Sequence, residues 1–181
     1  MKLYITGPVG SGKSTLARRA AAQTGVPCYH LDAVVHTADP TDSWGNRKRP
    51  AEERDTLFAA ILAEACYIME DAGRECFVEG MRQADRVVLL EPSGLVRRRQ
   101  IVLRWVKQNL GLEASLYRPR WAVLRAMFRW SHNWDTGADG AKARLAAFAG
   151  KTVVLHNDRE VNAWLASLGD TNQAKGLNRT P

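Results

Sequence analysis

A glycine-rich turn follows the first apolar run of the chain. Lys2–Thr6 is a short β-prone run, and residues 13–23 have the Ala, Leu and Arg content of a helix that stops at Gly25. The turn between them, Gly7-Pro8-Val9-Gly10-Ser11-Gly12-Lys13-Ser14, has the spacing GxxxxGK[ST]. A strand, a glycine loop and a helix in this order predict a nest of backbone N–H groups that binds phosphate.

The side chains of this loop predict the nucleotide and its metal. Lys13 is expected to bridge the β- and γ-phosphates, and the Ser14 hydroxyl to ligate Mg²⁺, with Thr15 as a less favoured substitute. The predicted cofactors are therefore ATP and Mg²⁺, and the choice of ATP over GTP stays open because no base-reading motif such as Asn-Lys-x-Asp occurs. The predicted nucleotide-binding set is Gly7, Pro8, Val9, Gly10, Ser11, Gly12, Lys13, Ser14 and Thr15.

The bulk composition allows one compact domain and favours anionic partners. The chain has 181 residues, and its 26 Lys plus Arg against 19 Asp plus Glu give a formal charge of +7. Such a charge suits nucleotides, phosphate esters or nucleic acid. The three cysteines lack the spacing of a zinc site, and no apolar run is long enough to span a bilayer. We therefore expect reduced thiols and a cytoplasmic protein with no membrane partner.

Short apolar runs alternate with helical patterns along the chain. Further strands are predicted at 26–31, 66–69, 86–90 and 152–156, and further helices at 51–65, 95–110, 119–131, 142–148 and 159–168. Strands separated by helices form right-handed crossovers and a parallel sheet that is covered on both faces. The predicted fold is therefore α/β, with one domain at 1–169 and a disordered polar tail at 170–181.

Three apolar runs end in a carboxylate that could support Mg²⁺. They end at Glu70-Asp71, at Glu79 and at Glu91. We prefer Glu70 and Asp71 because Arg74 follows them closely, which would place carboxylates and a guanidinium on one loop at a strand end.

The acceptor side of the site is predicted from two features. Asp32 ends the second predicted strand, so it faces the crevice where α/β proteins bind ligands; substrate binding, metal binding and turn capping all stay open for it. A basic cluster, Arg47-Lys48-Arg49, lies beyond it. Residues 36–50, which should define the acceptor, match no specificity pattern.

Arginines farther along the chain offer positive charge for phosphoryl transfer. In the helix after the fourth strand, Arg97 and Arg104 are seven residues apart and share a face, while Val102, Val106 and Leu110 line a face that is expected to pack. Cations that neutralise the transferring group are the expected equipment of such a site. A solvated basic face is the alternative.

A basic, aromatic segment follows this helix. Its composition suits stacking on bases and gripping phosphates, or a mobile lid, and its helical spacing is also typical of a core. The residues are Arg118, Arg120, Arg125 and Arg129, interleaved with Trp121, Phe128, Trp130 and Trp134.

Together these motifs resemble the nucleoside monophosphate kinases and, more closely, their bacterial relatives described as adenylate-kinase-related or DNA topology modulation proteins. Beyond the phosphate loop, the resemblance rests on Leu31-Asp32, on Arg47-Lys48-Arg49 with Glu53-Arg54, and on Arg104-Trp105-Val106-Lys107-Gln108. It covers residues 1–168. It implies a five-stranded parallel sheet in the order 2-3-1-4-5, a substrate-binding insertion at about 33–65 and an arginine-bearing lid at about 105–138.

The same resemblance implies roles for two arginines. Glu70-Asp71-Ala72-Gly73-Arg74 looks like a divergent form of the Asp-Gly-Phe-Pro-Arg of adenylate kinases, which implies that Arg74 grips a substrate phosphate. Arg144-Leu145 followed by Phe148 is similar to their Arg-Leu-x-x-Tyr, in which the arginine meets phosphate.

The sequence thus predicts an ATP-dependent kinase that acts on a small acceptor, with a nucleotide as one candidate. The alternatives are a nucleotide-dependent regulator that binds DNA and a plain NTPase switch. The predicted catalytic residues are Lys13, Arg97, Arg104 and Arg144, the substrate-binding residues are Asp32, Arg47, Arg49 and Arg74, and the metal-binding residues are Ser14, Glu70 and Asp71.

Overall fold

This computed structural model describes residues 1–115 and 117–176, with side chains described as far as residue 168. The described part contains seven strands and eight α-helices. The strands are β1 Lys2–Thr6, β2 Cys28–His30, β3 His36–Ala38, β4 Asn46–Lys48, β5 Tyr67–Asp71, β6 Arg86–Leu90 and β7 Thr152–Leu155. The helices are α1 Lys13–Thr24, α2 Leu31–Val35, α3 Ala51–Leu62, α4 Val78–Gln83, α5 Gly94–Asn109, α6 Trp121–Thr136, α7 Ala141–Ala146 and α8 Asp158–Gly176.

Five of the strands form one parallel sheet in the spatial order β2-β5-β1-β6-β7. Numbered among themselves along the chain, these five strands lie in the order 2-3-1-4-5, so the predicted fold class and strand order are confirmed. The remaining strands, β3 and β4, pair antiparallel as a separate hairpin that the sequence did not predict. Because all carboxyl ends of the sheet lie at one edge, the loops after β1, β2 and β5 meet there.

Both faces of the sheet are buried, and β1 shows this because its alternate side chains enter two different apolar clusters. Tyr4 packs into one apolar cluster with residues of α2, α3, α4 and α6, whereas Leu3 and Ile5 pack into a second cluster with α1 and α8. No side chain of these three residues is more than 1% exposed. The loop that follows β1 therefore starts from a strand that is packed on both faces.

Two boundaries differ from the sequence prediction. The third sheet strand continues through Glu70 and Asp71, so both carboxylates are strand residues rather than loop residues. The last helix runs to Gly176, so it extends over residues 170–176 of the predicted polar tail. Residues 177–181 lie outside the described part.

The prediction for the packing face of α5 was wrong. Val102, Val106 and Leu110 are 42%, 39% and 67% exposed, whereas Arg97 and Gln108 are buried. The physical reason is the neighbour on the inner side. That face lies over the phosphate loop, where a Cβ placed on Gly10 would come within 2.7 Å of the Arg97 carbonyl oxygen, and Ile101 packs there with Val123, Leu124 and Met127 of α6.

None of the helices in the described residues is both long and apolar enough to cross a bilayer.

Candidate functional site

The phosphate loop is clamped between the end of β6 and α5. Gly10 and Gly12 have φ values of +78° and +91°, a region that favours glycine. A Cβ on Gly7 would stand 2.3 Å from the Leu90 carbonyl oxygen, so only glycine fits there. The loop closes through Ser11 N–H to the Pro8 carbonyl at 3.1 Å and leads into the N-terminus of α1. This is the cradle that an anion nest requires.

A hydroxyl and a carboxylate meet beside this loop. The Ser14 hydroxyl donates to Glu70 Oε1 at 3.0 Å, and His30 Nδ1 lies 2.9 Å from the same oxygen. Glu70 is 3% exposed, and its second oxygen, Oε2, is buried with no hydrogen-bond partner among the described residues. Burial raises the pKa of Glu70, but the His30 hydrogen bond and the Lys13 charge outweigh it, so its pKa lies below the ordinary value. The group is therefore an ionised carboxylate with one free oxygen.

These residues fit a magnesium ion of the P-loop type. In the described part of the chain, no three His, Cys, Asp or Glu side chains are grouped as a metal site. Magnesium bound with a nucleotide needs none, since it uses the loop hydroxyl, phosphate oxygens, water and a carboxylate. The unpartnered Oε2 of Glu70, next to Ser14, is the orphaned acceptor that such an ion and its waters would satisfy.

Asp71 faces the other side of the sheet and serves Arg74. Its Oδ2 accepts from the Arg74 backbone N–H at 2.6 Å and from the Tyr4 hydroxyl at 3.3 Å, while Oδ1 accepts from the Arg74 guanidinium. Both oxygens are thus engaged. The geometry favours Glu70 over Asp71 as the carboxylate that supports the metal.

The other two acidic candidates lie elsewhere. Glu79 belongs to α4 rather than to a strand end, and it pairs with Arg82. Glu91 accepts from Trp134 Nε1 at 3.2 Å and from Lys142 Nζ at 3.1 Å, so it braces α6 and α7 against the end of β6.

An open cavity of about 820 Å³ extends from the phosphate loop between α2, the β3–β4 hairpin and α6. Lys13 lines one end of it, and its walls carry eight cationic side chains against three carboxylates. The cations are Lys13, Arg47, Lys48, Arg49, Arg54, Arg74, Arg104 and Arg144, and the carboxylates are Asp32, Asp42 and Asp139. A cavity with this excess of positive charge favours an anionic ligand.

Asp32 and Arg74 form an ion pair in the wall of this cavity. Burial raises the pKa of Asp32, but the charges of Arg74 and Lys13 prevail and hold it below the ordinary value. Burial lowers the pKa of Arg74, yet Asp71 and Asp32 hold it well above the ordinary value. Asp32 is therefore an ionised carboxylate beside the lysine of the phosphate loop.

Aromatic rings form the wall opposite these charges. Trp44 of the β3–β4 connection, Tyr117 of the α5–α6 connection and Trp130 of α6 have ring centroids 6.1 to 6.2 Å apart. His36 meets Tyr117 edge-on at 5.6 Å. Burial raises the pKa of Tyr117 to about 12. The cavity thus offers an apolar surface as well as charge.

The predicted arginines reach the site in different ways. Arg104 lines the cavity and pairs with Glu113 at 3.4 Å. Arg144 lines it too, with Nε and Nη2 donating to the Gly73 carbonyl at 3.0 and 2.9 Å. Arg47 and Arg49 also line it, and Arg49 pairs with Glu53.

Arg97 departs from its predicted place. It is 4% exposed, and its Nη2 donates to both oxygens of Asp135 at 2.7 and 2.6 Å. It does not line the cavity, and its Nε and Nη1 have no partner among the described residues. Its backbone, not its guanidinium, contacts the phosphate loop at Gly10.

Sequence reasoning missed His30, Asp135 and the Trp44 wall. His30 precedes the Leu31-Asp32 pair, but only the strand register, which pairs His30 with Glu70, shows its role. Asp135 lies 38 residues from Arg97, and no local pattern links them. The basic, aromatic segment is divided between interior and surface: Trp134 is 1% exposed and Phe128 packs against an apolar cluster, whereas Trp121 is 66% exposed.

Comparison with known proteins shows the fold. No protein-family model matches the sequence, and no curated protein matches it. An unliganded sugar kinase from Janibacter sp. HTCC2649 has a TM-score of 0.51 and 14% identity over 95% of this chain and 91% of its own. Shikimate kinase from Acinetobacter baumannii, in complex with shikimate, has a TM-score of 0.52 and 14% identity over 99% of this chain and 94% of its own. This chain therefore shares its fold with small-molecule kinases.

Proposed function

We propose that this protein is an ATP-dependent kinase that phosphorylates a hydroxyl group of a small anionic molecule. The observation that carries the proposal is the continuity of the phosphate loop with the cationic cavity, because Lys13 belongs to both. A nucleotide held by the loop would present its terminal phosphate to a ligand in the cavity. The two fold neighbours are a sugar kinase and a shikimate kinase, which agrees with a small-molecule acceptor.

Asp32 is the reason to prefer a hydroxyl acceptor. An acceptor hydroxyl must lose its proton as it attacks the γ-phosphorus, and an ionised carboxylate beside the loop lysine can take it. The Arg74 ion pair orients that carboxylate. A phosphate acceptor, as in the nucleoside monophosphate kinases, has no proton to lose at neutral pH and would be repelled by Asp32.

Each remaining group has one task in this scheme. Lys13 and the loop N–H groups hold the donor phosphates, while Ser14 and Glu70 would hold Mg²⁺, which neutralises charge on those phosphates. As the acceptor oxygen bonds to the γ-phosphorus, its proton moves to Asp32. The bond between the γ-phosphorus and the β–γ bridging oxygen breaks, and that oxygen leaves with ADP. Arg104 and Arg144 line the cavity where the transferred group lies.

A phosphotransfer screen tests this function. The purified chain is incubated with Mg²⁺ and γ-labelled ATP and with sugars, sugar phosphates, hydroxy acids, nucleosides or nucleoside monophosphates. We expect label in an anionic, hydroxylated acceptor, and no label with Lys13→Ala. Label confined to nucleoside monophosphates would indicate that the accepting group is a phosphate and not a hydroxyl. ATP hydrolysis independent of any acceptor would favour the NTPase switch.

A further inference from the structure

Helix α5 turns its aliphatic side chains outward. Its buried residues are Arg97, Ile101 and Gln108, which are spaced four and seven positions apart on the inner side. The opposite side carries a stripe that we call the outer face of α5. Its residues are Leu95, Val96, Val102, Leu103, Val106 and Leu110, each between 39% and 78% exposed. A surface helix of a soluble protein normally has the reverse arrangement.

The apolar surface continues beyond the helix. Leu112, in the turn after α5, is 74% exposed, and Trp121, the first residue of α6, is 66% exposed. The Trp121 ring lies beside that of Trp105, with centroids 4.7 Å apart, so α6 begins next to α5. Eight of the ten large apolar side chains that are exposed among the described residues lie between 95 and 121. Such a concentration marks a contact surface.

The charged side chains of α5 are all positive, and the nearby carboxylate, Glu113 in the turn after the helix, pairs with Arg104. Helix α5 carries four arginines and one lysine, and no carboxylate occurs within Gly94–Asn109. Arg98 and Lys107 are exposed at the two edges of the aliphatic stripe, Arg99 is exposed within it, and the exposed Arg120 precedes Trp121. The surface therefore combines aliphatic residues, a tryptophan and cations.

Charge argues against a second copy as the occupant. If two α5 helices packed through this face, cations of one would lie against cations of the other in either orientation, because Arg98 and Lys107 stand at its two edges and Arg99 stands within it. Either arrangement brings like charges together in an apolar contact, which is unfavourable. The occupant must accept aliphatic side chains and present negative charge.

We propose that the outer face of α5, with Leu112 and Trp121, docks on the surface of an anionic phospholipid bilayer. A convex aliphatic ridge can enter the fluid boundary between headgroups and acyl chains without a complementary groove, and Arg98, Arg99 and Lys107 would contact lipid phosphates. Tryptophan favours that same boundary. The chain would lie on the bilayer and not span it, and the proposal does not depend on kinase activity.

Vesicle co-sedimentation of the full chain tests the proposal. We expect binding to vesicles of equal parts phosphatidylcholine and phosphatidylglycerol, weaker binding as salt is added, and no binding to pure phosphatidylcholine. Val106→Glu should weaken binding about tenfold or more, because it replaces an inserting side chain by a carboxylate. The matched control is Leu57→Glu on α3, since Leu57 is 40% exposed and Val106 39%. The control should bind as the unaltered chain does.

A second variant and a second signal keep the test decisive. Leu95→Glu changes a 78% exposed position at the start of α5, so it serves if Val106→Glu does not fold. Tryptophan emission should shift to the blue on vesicles, and Trp121→Phe should reduce that shift while Trp164→Phe leaves it. Equal effects of Val106→Glu and Leu57→Glu, or no binding to anionic vesicles, would overturn the proposal. So would a lipid-free dimer that Val106→Glu dissociates, or binding to duplex DNA alone.

Discussion

Replacing Glu70 by Gln separates metal support from folding. Since an ionised carboxylate only accepts, Ser14 and His30 both donate to Oε1, at 3.0 and 2.9 Å, and an amide oxygen can accept both. The new NH₂ group takes the place of Oε2, which has no protein partner. Two charge-assisted hydrogen bonds become neutral ones, at about 1 kcal/mol each, so we expect the free energy of unfolding to fall by about 2 kcal/mol. The variant should still fold.

Nucleotide binding is the assay for this variant. Affinity for ATP is measured by calorimetry with Mg²⁺ and with a chelator, and the ratio of the two gives the gain that the metal provides. We expect Glu70→Gln to reduce that gain about 10- to 100-fold, the usual effect of losing a carboxylate that supports a metal, and to leave metal-free ATP binding unchanged.

Asp71→Asn is the matched control, because it alters the neighbouring carboxylate on the opposite face of β5. It should keep the metal gain and lose stability, since the Arg74 contacts depend on both Asp71 oxygens. A metal gain preserved in Glu70→Gln and lost in Asp71→Asn would refute the assignment and transfer the role to Asp71.

Three more variants test the loop, the base and a titrating side chain. In a denaturant titration, Gly10→Ala should lower the free energy of unfolding by about 2 to 4 kcal/mol, because Gly10 has a positive φ and the new Cβ would collide with the Arg97 carbonyl oxygen. The control is Gly25→Ala, which has a φ of +70° but no atom within 4 Å of the added Cβ, so it should show only the smaller effect of φ. Asp32→Asn should lower kcat about 100-fold or more with a hydroxyl acceptor, while a similar kcat would argue against a base there. Burial and, next, the Arg74 charge lower the pKa of His36 below 6.5, so the stability that comes from neutral His36 is present at neutral pH and is lost as the pH falls below 6.5. His36→Gln should therefore flatten the fall in melting temperature with decreasing pH, and an unchanged fall would exclude His36 as its source.

The sheet could be predicted because its signals are local. Strands buried on both faces are continuous apolar runs, and the run at Arg86–Leu90 matches β6 to the residue. The phosphate loop was equally clear, since its spacing and both flanks are contiguous. The β3–β4 hairpin was missed because strands of three residues are too short for an alternating pattern.

The site could be predicted only in part, because its geometry depends on register and on distant pairs. Glu70 and Asp71 are adjacent in sequence, and alternation along β5 sends one to Ser14 and the other to Arg74. No sequence pattern states which of the two faces the phosphate loop. The absence of a bilayer-spanning run likewise predicted no membrane partner, but that criterion cannot detect an aliphatic stripe on the outside of one helix.

One cause accounts for the inverted polarity of α5. The helix lies directly over the phosphate loop, with the Ile101 side chain within 2.9 Å of where a Gly10 Cβ would stand, so its inner face borders the anion site. A cation such as Arg97 can be buried there because Asp135 pairs with it. With Arg97 and Gln108 turned inward, the helical period leaves the aliphatic residues outside. The position of α5 over the phosphate loop thus accounts both for its buried Arg97 and for its exposed outer face. A substitution on the outer face would leave the inner contacts of Arg97 in place.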